Sequence, residues 1–128
     1  MVNFEYRSAN SPSFERADCT VRSLAISTDS PYYDAYKVLS QAGRKPNQGF
    51  YIEKFFKKCN FVLGHSFTKL NFRKAITLQK FIKQHPQGTY YVRKRGHVFV
   101  VKDGAVFDMS RPGAYTKVLM AWRVDKVI

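Results

Sequence analysis

The sequence predicts an α+β domain in which N-terminal helices pack on a C-terminal antiparallel β-sheet. Apolar residues recur at helical spacing between residues 19 and 59. From Tyr90 onward they alternate or form short β-branched runs, which is typical of strands. The chain has 128 residues, is 45% apolar and shows no linker or internal repeat, so we expect one domain over residues 1–128.

The N-terminal part predicts an arm followed by a helix. Residues 1–16 lack sustained periodicity and contain Ser11-Pro12-Ser13, so we expect an extended or looping arm. Asp18 is the expected N-cap of the first helix. The buried stripe of this helix is predicted to contain Val21, Leu24 and Ala25.

Two further helices are expected before residue 60. Ser30-Pro31 is typical of a helix start, and Gly43 is the expected end of this second helix. The third begins at about Phe50. The predicted inner residues are Tyr32, Ala35, Tyr36 and Leu39 in the second helix, and Ile52, Phe55, Phe56 and Cys59 in the third. Cys59 is therefore predicted to be a core residue.

The rest of the chain is predicted to be mainly strands. The segment 61–63 is expected to be a short strand or a packed loop, and residues 65–74 have no clear class. Thr77 is predicted to cap a short helix that contains Leu78, Phe81 and Ile82 and ends before Pro86. A strand over 90–92 leads into a hairpin, and the alternation of apolar residues over 118–124 predicts one last strand.

The hairpin is centred on Asp103-Gly104, a strong two-residue turn signal. A turn of this length pairs Lys102 with Ala105 and brings His97 and Asp108 onto one face, on a cross-strand diagonal. A histidine and a carboxylate within side-chain reach form two thirds of a nucleophile–base–orienter triad.

Cys19 is the best candidate for the missing nucleophile. Its predicted place on the first turn of a helix favours an anion there, and this lowers the pKa of a thiol. The alternative for each residue taken alone is structural: a packed cysteine, an accommodated strand histidine and an aspartate that begins a turn.

The order Cys19, His97, Asp108 resembles that of the papain-like cysteine peptidase superfamily. Asp18-Cys19 resembles the nucleophile turn of bacteriocin-processing peptidases, and Gly96-His97-Val98-Phe99-Val100 with Asp108 resembles their base and orienter strands. The wider pattern from Asp18 to Tyr90 is similar to small peptidase-like proteins of bacteriophages. The resemblance implies a papain-like fold and a peptidase with Cys19 as nucleophile, His97 as base and then acid, and Asp108 as orienter. Amidase, deamidase and acyl-transfer chemistry use the same groups and stay open.

The chain departs from the superfamily at the oxyanion hole. The resemblance implies a glutamine about six residues before the nucleophile, and this chain has Ser13 there. Ser13 and Asn10 are the candidate substitutes. Removing one such donor typically costs about 2.7–4 kcal/mol of transition-state stabilisation. A catalytically inactive binding module is therefore the alternative reading.

The charge predicts the kind of partner. With 22 basic and 9 acidic residues the net charge is +13, which favours an acidic protein or a nucleic acid besides a peptide or protein substrate. Arg93-Lys94-Arg95 is the candidate polyanion contact. We expect no metal, since the cysteines and histidines show no close ligand pair, and no cofactor. Without a membrane-length apolar run or a signal-like start, we expect a cytoplasmic protein, in the host cytoplasm or the virion if a phage encodes it.

Overall fold

The computed structural model describes residues 2–127, and these form four helices and nine strands. The helices are α1 (Cys19–Thr28), α2 (Tyr32–Gln41), α3 (Ile52–Lys58) and α4 (Leu78–Gln84). The strands are β1 (Asn3–Tyr6), β2 (Phe61–Val62), β3 (His65–Lys69), β4 (Ile76–Thr77), β5 (Thr89–Lys94), β6 (His97–Lys102), β7 (Ala105–Asp108), β8 (Lys117–Val118) and β9 (Met120–Lys126). None of these helices is long and apolar enough to cross a lipid bilayer.

A mixed seven-stranded sheet forms the centre of the molecule. Its strand order is β1-β7-β6-β5-β9-β3-β2, and β4 and β8 form a separate small sheet. Every neighbouring pair in the large sheet is antiparallel except β1 and β7, which run parallel. The chain is thus a mixed α/β protein in which helices and strands alternate more than the sequence predicts.

The large sheet has a hydrophobic core on each face. Successive residues of β5 belong to different cores, since Tyr91 packs with α1, α2 and α3 while Tyr90 and Val92 pack with α4. The first core is rich in aromatic contacts, and Phe56 lies at its centre against Phe67, Tyr91 and Trp122. Two buried faces explain why the central strands are almost continuously apolar.

The β6–β7 hairpin has the predicted register. Lys102 pairs with Ala105 and Val101 with Val106. The two turn residues have positive φ, 48° at Asp103 and 80° at Gly104, as this tight turn requires. The turn is further fixed because the Asp103 Oδ1 accepts the N–H of Gly88 at 2.9 Å.

The predicted helices are confirmed, with changes at their ends. Val21 and Leu24 are fully buried, and the Thr77 hydroxyl caps α4 by accepting the N–H of Lys80 at 3.2 Å. Asp18 occupies the N-cap position of α1, but its side chain makes no capping bond. Pro31 is the N-cap residue of α2.

The prediction that Cys59 lies in the core is wrong. Helix α3 ends at Lys58, and Cys59 has extended backbone angles, φ −142° and ψ 94°. The i+7 position of the predicted stripe therefore lies outside the helix, and the Cys59 side chain is exposed. Its thiol donates to the carbonyl of Phe61 at 3.4 Å.

Three strand assignments also differ from the sequence prediction. The N-terminal arm contains β1, which adds a parallel edge strand beside β7. The unassigned segment 65–74 contains β3, which pairs with both β2 and β9 and has Phe67 as its one buried residue. The segment predicted as one last strand forms two strands, because β8 pairs with β4 and only β9 joins the large sheet.

Candidate active site

The structure brings Cys19, His97 and Asp108 together. Cys19 is the first residue of α1, His97 is the first residue of β6 and Asp108 is the last residue of β7. His97 and Asp108 are at the open end of the hairpin, and α1 packs against β6. Three residues that are far apart in the chain therefore meet where one helix and two strands begin or end.

A short hydrogen bond joins the histidine to the aspartate. The Nε2 of His97 and the Oδ2 of Asp108 are 2.7 Å apart, and the Asp108 side chain is almost completely buried. The Oδ1 of Asp108 accepts the N–H of Met109 at 2.7 Å. Both carboxylate oxygens thus have partners, so Asp108 is held in position and fixes the orientation of the imidazole.

The other side of the imidazole faces the thiol. Since Nε2 of His97 is bonded to Asp108, Nδ1 is the ring nitrogen left for Cys19, and the two side chains are close enough to shift each other's pKa. The backbone of Val98 is also close enough to the sulfur to lower the pKa of Cys19. Cys19 is half-buried, in contrast to the exposed Cys59.

The two pKa values move in opposite directions. Burial by itself raises the pKa of Cys19, but the hydrogen bonds from His97 and Val98 and the charges of His97 and Arg22 outweigh it and bring the pKa below its ordinary value of 9.0. The hydrogen bond to Asp108 is the main cause that raises the pKa of His97 to about 9. Both shifts favour the thiolate–imidazolium pair over the neutral pair, and the thiolate is the reactive form of a cysteine nucleophile.

A second charged pair lies behind the triad. Asp18, which precedes Cys19, is buried, and its side chain bonds to Arg22 and to the hydroxyls of Ser11 and Tyr32. The Nη2 of Arg22 is also 3.8 Å from Oδ1 of Asp108. Arg22 therefore links the residue before Cys19 to the carboxylate that is bonded to His97.

A buried ion pair holds the turn that leads to Cys19. The Arg44 guanidinium contacts the carboxylate of Glu15 at 2.7 Å, and both side chains are almost completely buried. Arg44 also donates to the carbonyls of Arg16 and Ala17, while Glu15 accepts the N–H of Asn47 at 2.8 Å. The segment before α1 is thereby tied to the loop that follows α2.

An open pocket of about 210 Å³ lies beside the thiol. Cys19 and His97 form one side of it, and the loop and first turn of α3 form the other. Its further lining residues are Thr20, Gly49, Phe50, Tyr51, Ile52, Glu53, Arg93, Gly96 and Val98. The half-buried thiol is therefore reachable from this partly apolar pocket.

The structure does not bring the two oxyanion candidates to this pocket. Ser13 and Asn10 are exposed, and neither is among the residues that line it. The backbone N–H of Cys19, on the first turn of α1, is a donor next to the sulfur.

The basic triplet is divided between strand and turn. Arg93 and Lys94 belong to β5 and Arg95 lies in the turn that follows. Only Arg93 of the three lines the pocket beside Cys19.

Comparisons with family models, with curated proteins and with solved structures found no match to this chain.

Two ion pairs around Cys19, His97 and Asp108 were not predicted from the sequence. The pairing of Arg22 with Asp18 has a signal in the sequence, since the two are separated by four residues on one helix face. The pairing of Arg44 with Glu15 has none, because a loop–loop contact across 29 residues leaves no periodicity.

Proposed function

We propose that this protein is a papain-like cysteine hydrolase, specifically a peptidase that acts through a covalent acyl-enzyme. The observation that supports this most is that Cys19 lies beside His97 at an open pocket, and that the imidazole of His97 is hydrogen-bonded to Asp108. The Cys, His, Asp order, with the nucleophile on a helix and the other two on adjacent strands, supports the papain-like assignment.

The proposed reaction begins with attack of the Cys19 thiolate on an amide carbonyl carbon, which forms the C–S bond. The backbone N–H of Cys19 donates to the oxygen that becomes negative. The His97 imidazolium then gives its proton to the leaving nitrogen as the C–N bond breaks, and the acyl-enzyme remains. His97, now neutral, takes a proton from water, whose oxygen attacks the thioester and releases the acid and the thiolate.

A non-catalytic basic module is the second candidate function. Two observations favour it: the net charge of +13, and the position of Ser13 and Asn10 away from the pocket. In this case the protein retains the groove and binds an acidic protein or a nucleic acid without turnover. The bacteriophage origin and a location in the host cytoplasm or virion remain predictions from the sequence resemblance.

Turnover by single and double variants tests the proposal. On a panel of peptide, isopeptide and glutamine substrates, Cys19→Ala and His97→Ala should each abolish hydrolysis, and the double variant should be little worse, because the two act as a unit. Cys59→Ala is the matched control and should retain full activity, since its thiol is exposed outside the site. Hydrolysis by the Cys19→Ala variant would refute the proposal. If the native protein hydrolyses none of these substrates, the result would favour the binding module.

A further inference from the structure

The outward side of α3 presents a row of positive charge. Lys54, Lys57 and Lys58 are exposed and follow one another at i, i+3 and i+4, which places them on neighbouring parts of one helix surface. Tyr51, just before the helix, exposes 68% of its surface. We refer to these four residues as the α3 lysine face.

This face is continuous with the pocket beside the thiol. The pocket next to Cys19 shares Tyr51 and Glu53 with a shallow depression of about 460 Å³ that Lys54, Lys57 and Lys58 line. A chain that leaves the thiol pocket past Tyr51 therefore meets the lysines next.

The charge on this face is not balanced locally. Among the described residues that line the two depressions, Glu53 is the one acid. Its carboxylate lies 3.9 Å from Nζ of Lys57 and 3.7 Å from Nζ of Lys69, so it is already shared between two lysines. Like charges at i and i+4, such as Lys54 and Lys58, repel each other on a short helix, although a lysine in the last turn also interacts favourably with the helix dipole. An acidic ligand on this face would relieve that repulsion.

We propose that the α3 lysine face binds a run of Asp and Glu residues in the polypeptide substrate, next to the bond that Cys19 attacks. This inference rests on the proposed function, since it concerns the substrate of the same site. Phe50 and Ile52, which line the thiol pocket, suit an apolar residue at the scissile position. The substrate class is therefore an acidic polypeptide with an apolar residue at the cleaved bond.

A polypeptide fits the site better than a nucleic acid does. The lysine face opens into the thiol pocket, and the thiol reacts with an acyl carbon, which a nucleic acid does not offer. Binding to either polyanion should weaken as the salt concentration rises, so salt dependence does not distinguish a peptide from a nucleic acid. Direct competition between the two ligands for the same face distinguishes them.

Binding of a labelled glutamate-rich peptide with a leucine at the scissile position tests the proposal without relying on turnover. In the native protein and in Cys19→Ala, the peptide should bind at low salt. The double charge reversal Lys54→Glu/Lys58→Glu should weaken binding about tenfold or more, as expected when two exposed contacts become repulsive.

The matched control is a double charge reversal that changes the net charge by the same amount but lies on the other face of the sheet. Lys80 and Lys83 are exposed on α4, which packs in the opposite core. Lys80→Glu/Lys83→Glu should change the affinity less than twofold. Equal weakening by the two double variants would overturn the proposal, because it would mean that only the overall charge attracts the peptide.

Two further readouts complete the test. A single-stranded oligonucleotide of the same charge should displace the peptide less effectively than unlabelled peptide does, and the reverse order would overturn the proposal in favour of a nucleic-acid surface. The peptide should also slow covalent labelling of Cys19. If Cys19 does not label at all, the proposed function fails, while the binding comparison between the double variants still decides the inference.

Discussion

Replacement of Arg22 by glutamine should destabilise the protein and alter the triad together. Arg22 is 14% exposed and lies between two buried carboxylates, bonded to Asp18 and 3.8 Å from Asp108. At that distance, with an effective dielectric constant of about 20, its attraction to Asp108 alone is about 4 kcal/mol before desolvation is subtracted. Removal of one partner from a buried ion pair typically costs about 3–5 kcal/mol.

Because glutamine keeps a hydrogen-bond donor and the guanidinium is not fully buried, we expect Arg22→Gln to lose about 3 kcal/mol, at the lower end of that range. This is a large share of a typical total stability of about 5–15 kcal/mol. The melting temperature should fall by roughly 10 °C. The pKa of Cys19 should also rise, because the charge of Arg22 is one of the groups that lower it.

Urea denaturation gives the stability, and the pH dependence of Cys19 alkylation, followed by mass spectrometry, gives the thiol pKa. Arg123→Gln is the matched control, since Arg123 pairs with Asp125 at 2.9 Å but both side chains are about half exposed. It should leave the melting temperature and the alkylation profile almost unchanged. If Arg22→Gln is no more harmful than Arg123→Gln, the link from Asp18 through Arg22 to Asp108 has no role.

Three other outcomes are expected. The pH profile of kcat/KM should be bell-shaped. Its acid limb should lie below the ordinary cysteine pKa of 9.0, where the Cys19 thiolate is protonated, and its alkaline limb near the His97 pKa of about 9, where the imidazolium loses its proton. A profile with a single limb would contradict this. Asp108→Asn should reduce kcat by roughly 10³–10⁴-fold. It should also move the alkaline limb to lower pH, because the hydrogen bond to Asp108 is the main cause that raises the His97 pKa. An unchanged alkaline limb would count against the role of Asp108. Phe56→Ala should cost about 3–5 kcal/mol in urea denaturation, since the ring is buried among four aromatic side chains. Phe61→Ala, at a ring that is 54% exposed, should cost far less, and equal costs would contradict the assignment of the core.

Local patterns predict much of this fold because they act over short distances in the chain. The hairpin register follows from Asp103-Gly104 alone, and that register brings His97 and Asp108 within reach. The four helices follow from apolar spacing and, for α4, from a Thr77 cap that the structure contains.

The rest depends on contacts between distant segments. Strand β1 is recognisable only from its parallel partner β7, and β3 presents a single buried residue, Phe67, so its alternation is too weak to see. The prediction for Cys59 is wrong because a local pattern is present but misleading: the apolar spacing continues past the residue at which helix α3 ends.

The same distinction holds at the candidate site. The three triad residues are predictable because each falls at a recognisable helix start or hairpin position. The environment of Asp18 is not predictable in this way. The sequence predicts that its carboxylate caps the helix, but the carboxylate pairs with Arg22 and accepts a hydrogen bond from the Tyr32 hydroxyl at 2.9 Å. Burial decides between these roles, and burial of one side chain is a property of the whole fold.

Selective covalent labelling tests the central claim most directly. A peptide that carries a thiol-reactive acyl electrophile, applied at mildly acidic pH, should modify Cys19 irreversibly and much faster than Cys59, even though Cys59 is the more exposed thiol. His97→Ala should remove the difference by slowing only the reaction of Cys19. Equal rates at the two cysteines, or faster modification of Cys59, would contradict the claim that Cys19 is an activated nucleophile.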